Sequence, residues 1–113
     1  MSTYDLESRT LAFATDVRKL CRQIDRTISN IEDMKQLIRS SGSVGANYIE
    51  ANESLSKNDL AHRLRIARKE AKESRYWLQL ISVSERLEPS RARLFQESTE
   101  LLKILSSIIE KIS

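Results

Sequence analysis

Apolar residues recur at alternating intervals of three and four positions along most of the chain, and this spacing constrains the fold more than any other feature. The clearest run consists of Leu60, Leu64, Ala67, Ala71, Ser74, Leu78 and Ile81. Such spacing places residues along one side of an α-helix, whereas a half-buried strand requires strict alternation. With only two Gly and one Pro, the chain also has few residues that interrupt helices. The predicted fold class is therefore all-α.

Three further runs with the same spacing divide the chain into four predicted helices. They are Thr10, Ala14, Val17, Cys21, Ile24, Ile28 and Ile31; Met34, Leu37, Ser41, Val44, Tyr48, Ala51 and Leu55; and Leu94, Ser98, Leu101, Leu105, Ile108 and Ile112. We predict helices over about residues 5–25, 30–55, 57–87 and 90–112 of a single domain spanning residues 1–113. Helices of this length joined by short loops most simply form an up-down-up-down antiparallel four-helix bundle.

Capping and breaking residues set the predicted helix boundaries. Ser29 and Asn30 are each followed three positions later by an acid, as in a capping box, so the second helix is predicted to begin there. Ser56 with Asp59 gives the same signal for the third helix. Pro89 lacks an amide hydrogen and disfavours helical conformation in the residue before it. The third helix is therefore predicted to end near residue 87 and the fourth to begin near residue 90.

Composition argues against several classes of protein. The longest apolar run is only a few residues and the first ten residues are mostly polar, so neither a membrane span nor a secretory signal is expected, and the predicted location is cytoplasmic. Cys21 is the only cysteine and His62 the only histidine, so we expect no internal disulfide and no Cys/His metal cluster. No cofactor is predicted. The net charge of +3 would assist binding to polyanions but is lower than that of dedicated nucleic-acid proteins.

The third predicted helix carries a second apolar stripe on the side away from its core run. This stripe consists of Ile66, Glu73, Trp77 and Leu80. A helix in a monomeric bundle needs only one apolar stripe, so the second predicts contact with another chain, with Trp77 as the anchor. The alternative is that Trp77 flanks the intramolecular core, where aromatic residues are often found.

Between the two stripes lies a row of basic residues, here called the basic line: Arg65, Arg68, Lys72 and Arg75. Such a row suits contacts with nucleic-acid phosphates, each of which adds salt-dependent affinity. Glu70 and Glu73 interrupt the positive field. The alternative is therefore an ordinary solvated helix face.

Gly42 and Gly45 form a small-residue patch with the serines and alanine around them. Each glycine costs a helix about 1 kcal/mol, so close approach of another helix is the expected reason for the patch. A phosphate-binding loop is the alternative, but no strand precedes the segment and no Gly-Lys-Ser/Thr follows it.

Three pairs of glutamates have i, i+3 spacing: Glu50 and Glu53, Glu70 and Glu73, and Glu97 and Glu100. All-α nucleotide pyrophosphohydrolases bind magnesium with such pairs, so a metal-dependent enzyme of that kind is the alternative function. The E-E-x-x-E and E-x-x-D motifs of those enzymes are absent, and one histidine cannot supply the two Glu-x-x-His motifs of di-iron bundles. We therefore predict that the chain is not an enzyme, with no catalytic residue and no metal. The glutamates are expected to pair with basic residues such as Arg39, Arg68, Lys69 and Arg75.

The segment from about residue 36 to residue 81 closely resembles the bacterial four-helix bundle proteins of the 23S rRNA intervening sequence protein family. The matching residues are Arg39, Ser40, Ser43–Tyr48, Glu50, Ala51, Ser56, Lys57, Asp59, Lys69–Ala71, Glu73 and Tyr76–Leu78. The resemblance is looser over both terminal helices. Val44 stands where the family usually has isoleucine and Ala61 where it usually has an aromatic residue, and both replacements keep an apolar character.

The resemblance implies a bundle that assembles into a ring-like homo-oligomer, typically a homopentamer. The biochemical role of the family is largely undefined. A similar fold occurs in the basic, pentameric accessory protein of diversity-generating retroelements, which binds nucleic acid and partners a reverse transcriptase. RNA, DNA or a nucleic-acid-processing protein are therefore the expected partners, besides further copies of the chain. The polar residues that match the family motif are Arg39, Asn47, Glu50, Glu70 and Glu73. We expect the last four to be buried or interfacial and to fix helix register.

Overall fold

The structure is a computed structural model that describes the backbone of residues 3–112 and the side chains of residues 6–112; the predicted domain limits at residues 1 and 113 lie outside this range. Four helices form: α1 (Thr3–Cys21), α2 (Ile28–Asn52), α3 (Lys57–Leu80) and α4 (Glu88–Ile112). A short 3-10 helix (Glu85–Leu87) precedes α4. The described part of the chain contains no strand, which agrees with the all-α prediction.

Contacts between side chains show that neighbouring helices are antiparallel. Arg9 lies 2.7 Å from Glu97 and Arg93 lies 3.5 Å from Asp16, so α4 runs opposite to α1. Two contacts between α1 and α2, two between α2 and α3, and two between α3 and α4 show that each of these helices is also antiparallel to the next. The helices therefore form the predicted up-down-up-down bundle, with dimensions of 44 × 24 × 18 Å.

The N-terminal cap of α2 differs from the prediction. Thr27, in an extended conformation, is the cap, and its hydroxyl accepts a hydrogen bond from the amide of Asn30 at 3.2 Å. The capping box expected at Ser29 and Asn30 is therefore wrong, because both residues already lie within the first turn of α2. The predicted cap of α3 is confirmed, since the Ser56 hydroxyl accepts from the amide of Asp59 at 3.0 Å.

Helix α3 ends at Leu80, seven residues before the predicted boundary, and α4 begins at Glu88 instead of residue 90. Tertiary contacts of the residues that follow Leu80 cause this early end. Ile81 leaves the helix in an extended conformation and becomes almost fully buried, while Arg91 of α4 donates a hydrogen bond to its carbonyl oxygen. Pro89 lies in the first turn of α4, where a missing amide hydrogen costs nothing.

The core follows the predicted runs with corrections at their ends. On α1 the buried residues include Leu6, Phe13 and Leu20, which the predicted run omits. Two members of the predicted runs, Ile28 and Leu55, are exposed at 88% and 101% because they lie at or beyond a helix end. On α4 the buried position is Ile109 and Ile108 is only partly covered, as expected when a 3.6-residue helix drifts from a 3.5-residue repeat. No helix in the described range is long and apolar enough to cross a membrane.

Helix α1 packs closely against α2 at Gly45. A Cβ atom at this position would lie 2.8 Å from the Thr10 hydroxyl oxygen and 3.1 Å from the Thr10 Cβ. At Gly42 the equivalent atom would meet only the Arg18 Nη2 atom, at 3.3 Å. The prediction that another helix packs closely on this patch is therefore confirmed, and Gly45 is the residue that permits it.

Candidate interaction surfaces

The basic line lies on the outside of α3, beside α4. Arg65 and Lys72 are exposed, whereas Arg68 and Arg75 are half-buried. The Arg75 guanidinium carbon lies 5.9 Å from the centroid of the Phe95 ring on α4, a cation–π distance. Among the side chains of residues 6–112, no carboxylate forms an ion pair with any of the four. No member of the basic line is therefore ion-paired with a described carboxylate, in contrast to Arg9, Arg39, Arg91 and Arg93.

Arg39 joins α2 to α3 through two carboxylates. Its Nη1 atom lies 3.2 Å from a Glu70 oxygen and its Nη2 atom lies 3.2 Å from a Glu73 oxygen. Glu70 is buried and Glu73 is half-buried. A buried carboxylate is costly unless it is paired, so the ion pair fixes the position of Glu70 against α2. The expected pairing of Glu70 and Glu73 with Arg39 is therefore confirmed. The expected ion pairs of Glu50, Arg68, Lys69 and Arg75 are wrong, because none of these four side chains is ion-paired within residues 6–112.

Further polar contacts follow the same α2–α3 interface. The hydroxyl oxygens of Ser40 and Ser74 are fully buried and lie 2.9 Å apart. About two helical turns further along α2, the Asn47 side-chain oxygen accepts a hydrogen bond from Arg63 at 3.3 Å. The structure thus brings four of the five polar family-motif residues to one interface. The expectation that Glu50 is buried or interfacial is wrong, because its side chain is exposed.

The stripe predicted to contact another chain is only partly exposed. Ile66 is half-buried, and Trp77 is half-buried and packs against the core. Leu80 is 49% exposed, and the adjacent Tyr76 is 57% exposed. The rings of Tyr76 and Trp77 meet edge to face, with centroids 5.0 Å apart. The Trp77 indole nitrogen is buried without a hydrogen-bond acceptor among the described residues.

Four members of the three glutamate pairs form ion pairs with arginine or lysine side chains, and the other two are exposed. Arg9 donates two hydrogen bonds to Glu97, at 2.7 and 2.8 Å, and this contact raises the pKa of the Arg9 guanidinium. Glu50 and Glu53 are exposed. Within the described residues no three His, Cys, Asp or Glu side chains come together in an arrangement that could hold a metal ion.

Cys21 lies near the end of α1 and is buried. Burial raises the pKa of its thiol to about 11, against an opposing effect of the nearby Arg18 charge. The thiol is therefore protonated at neutral pH, and a protonated, buried thiol is a poor nucleophile.

Two adjacent surface cavities between α1 and α2, here together called the α1–α2 groove, were not predicted from the sequence. One half has a volume of about 440 Å³, an apolar floor that includes Met34 and Ile38, and a rim of four basic residues: Arg18, Arg22, Arg26 and Lys35. The other half, of about 330 Å³, is lined by Leu11, Ala46 and Ile49 among others, and Arg18 borders both halves. The sequence contains a sign of this groove, because Leu11 and Ile49 are apolar residues that fall outside the core runs. It can be recognised only when the core positions of α1 are already known.

Comparisons with known proteins address the fold. The family model described as 23S rRNA-intervening sequence protein matches residues 4–107. A crystal structure from Bacteroides thetaiotaomicron, described as a protein of unknown function from the S23 ribosomal protein family, superposes with a TM-score of 0.83 at 32% sequence identity. The alignment covers 97% of this chain and 99% of that one. No curated protein matches the sequence.

Proposed function

The chain belongs to the 23S rRNA-intervening sequence protein family, and from that premise we propose that it is a cytoplasmic, non-enzymatic, homo-oligomeric binding module that uses the basic line of α3 to associate with nucleic acid. The ring-like, pentameric assembly expected from the resemblance is part of this proposal. The proposal also includes association with a nucleic-acid enzyme. The basic face, beside the oligomer interface, would bring nucleic acid to that enzyme.

The observation that carries the proposal is the lack of compensating acids along the basic line. Four arginines outside the basic line are paired with carboxylates, namely Arg9, Arg39, Arg91 and Arg93, whereas others such as Arg22 and Arg26 are unpaired within residues 6–112. Unpaired cations in a row on one helix are free to neutralise phosphates, and the release of condensed counterions then supplies binding free energy. Arg75 is further held in place by the Phe95 ring, which reduces the entropy it would lose on binding.

The stripe of Ile66, Glu73, Trp77 and Leu80 supports self-association. Leu80 and the neighbouring Tyr76 together expose an apolar patch beside the half-buried Trp77. The Trp77 indole nitrogen is already buried within the single chain, so Leu80 and Tyr76 are the side chains that a second copy would cover. Aromatic anchors of this kind concentrate binding energy at protein interfaces.

The test is a salt titration of the binding of a fluorescein-labelled single-stranded RNA oligonucleotide, measured by anisotropy. The Arg65→Gln/Lys72→Gln variant changes two exposed members of the basic line, and Lys103→Gln/Lys111→Gln removes the same charge from exposed positions on α4. We expect the first variant to reduce the slope of log K against log salt by about 1–1.5, and the control to change it little. Equal slopes for both variants, or binding that does not depend on salt, would refute the role of the basic line.

A further inference from the structure

The α1–α2 groove combines an apolar floor with an uneven distribution of charge. Its basic half is bordered by Arg18, Arg22, Arg26 and Lys35. Its other half carries one acid, Glu7, and the apolar residues Leu11 and Ile49, which are 69% and 46% exposed. Solvent-exposed apolar side chains along a groove mark a surface that is stabilised when a partner covers it.

The positive charge of the groove is largely uncompensated. Among the described residues no carboxylate forms an ion pair with Arg18, Arg22 or Arg26. Arg18 lies across the groove and donates hydrogen bonds to the carbonyl oxygens of Ala14 on α1 and Ile38 on α2. Lys35 contacts Glu32 at 3.1 Å, but both side chains are about two-thirds exposed, so this pair contributes little.

The two halves of the groove lie in line along α1, with the Arg18 side chain between them. Together they follow α1 from Glu7 to Arg22, and fifteen residues of helix span roughly 22 Å, or about four turns. A partner helix of that length would lie over Arg18 and cover both halves. Gly42, Gly45 and Ala46 line the half that contains Leu11 and Ile49, so these small residues leave room for a third helix to lie over α1 and α2. Helix-in-groove recognition uses apolar side chains spaced at i, i+3, i+4 and i+7 in this way.

We propose that the α1–α2 groove is a docking site for an amphipathic helix of a partner protein that carries acidic residues at one end. The acids lie over Arg22 and Arg26, and the apolar face of the helix covers Leu11 and Ile49. This site is separate from the basic line of α3, so its occupation does not depend on nucleic-acid binding.

The probe is a synthetic, fluorescein-labelled 16-residue helix with leucines at alternating intervals of three and four and three glutamates in its first turn. The matched peptide has glutamines in place of the glutamates. We expect anisotropy to show saturable binding of the acidic peptide and about tenfold weaker binding of the glutamine peptide, which corresponds to three partly exposed ion pairs.

Two protein variants locate the site. Arg22→Gln/Arg26→Gln should weaken binding of the acidic peptide about fivefold to tenfold, whereas Lys103→Gln/Lys111→Gln should leave it unchanged. Leu11→Ser/Ile49→Ser should also weaken it, with Leu55→Ser, at a fully exposed position, as the control. These side chains are exposed, so the variants should fold, which circular dichroism checks.

Three outcomes would overturn the proposal. The first is the absence of saturable binding by the acidic peptide. The second is equal binding of the two peptides or of the Arg22→Gln/Arg26→Gln variant and the wild type. The third is an oligomeric wild type that Leu11→Ser/Ile49→Ser converts to a monomer in light scattering, because a second copy of this chain would then occupy the groove.

Discussion

The side-chain amide of Asn30 pairs with the backbone of Ser82 through two hydrogen bonds. Its Oδ1 atom accepts from the Ser82 amide at 3.1 Å, and its Nδ2 atom donates to the Ser82 carbonyl oxygen at 3.0 Å. The same Nδ2 atom also donates to the Asp25 carbonyl oxygen at 3.1 Å. A residue in the first turn of α2 thereby satisfies the segment that leaves α3, which helps to explain why α3 ends before Pro89.

Asn30→Asp is expected to lower the free energy of unfolding by about 2–3 kcal/mol at pH 7, because a carboxylate can accept from Ser82 but faces two carbonyl oxygens that need a donor. Protonation of the new carboxyl restores a donor, so the deficit relative to wild type should shrink as the pH falls towards 4. Urea denaturation of the variant and the wild type at pH 7 and near pH 4 measures this deficit. The control is Asn58→Asp at an exposed position in the first turn of α3, which should change stability by less than about 0.5 kcal/mol. Equal effects of the two substitutions would contradict the pairing.

The two glycines of α2 should respond in opposite directions to alanine. Gly45→Ala places a methyl group 3.1 Å from the Thr10 Cβ, which cannot move without α1, so we expect a loss of about 1–3 kcal/mol. At Gly42 the new methyl group meets only the flexible end of Arg18, and the gain in helix propensity is expected to leave stability unchanged or up to about 1 kcal/mol higher. Thermal and urea denaturation of both variants checks this. A stabilised Gly45→Ala variant would show that α1 does not pack as described.

Patterns local to one helix were predictable from the sequence, whereas features that depend on a distant part of the chain were not. The spacing of apolar residues identified four helices, and Ser56 with Asp59 identified a cap, because both signals arise within a few residues. The end of α3 depends on Asn30 and Arg91, which lie far away in sequence. The same limit applies to the surfaces. The basic line was visible on one helix, but the α1–α2 groove exists only once two helices have packed.

Removing the cation from the α2–α3 interface should be costly. Arg39→Met leaves the buried Glu70 carboxylate without its partner, and we expect a loss of about 1–3 kcal/mol in urea denaturation. The double variant Arg39→Met/Glu70→Gln removes the unpaired charge and should recover part of this loss. Failure of Glu70→Gln to improve the Arg39→Met background would show that Glu70 is not the group left unsatisfied.

The Cys21 thiol should make stability fall at alkaline pH. Burial raises its pKa from 9.0 to about 11 in the folded state, so the unfolded chain loses this proton first as the pH rises. The contribution of the protonated thiol to the free energy of unfolding is fully present below pH 9. It is lost between pH 9 and 11, by roughly 2–3 kcal/mol in total. Cys21→Ala should show a smaller fall over this range, which urea denaturation at pH 8, 9 and 10 measures. Parallel curves for the variant and the wild type would contradict a buried, protonated thiol.

Self-association through the α3 stripe can be tested with a charge at Leu80. This side chain is 49% exposed beside Trp77, so Leu80→Glu should leave the fold intact but place a carboxylate in the proposed interface. Burying an unpaired charge costs several kcal/mol, and we therefore expect the variant to shift from oligomer to monomer in size-exclusion light scattering. Leu55→Glu introduces the same charge at a fully exposed position between α2 and α3, and it should keep the mass of the wild type. If Leu80→Glu remains oligomeric, or if the wild type is a monomer, the stripe does not join copies of the chain, and the exposure of Tyr76 and Leu80 requires another explanation.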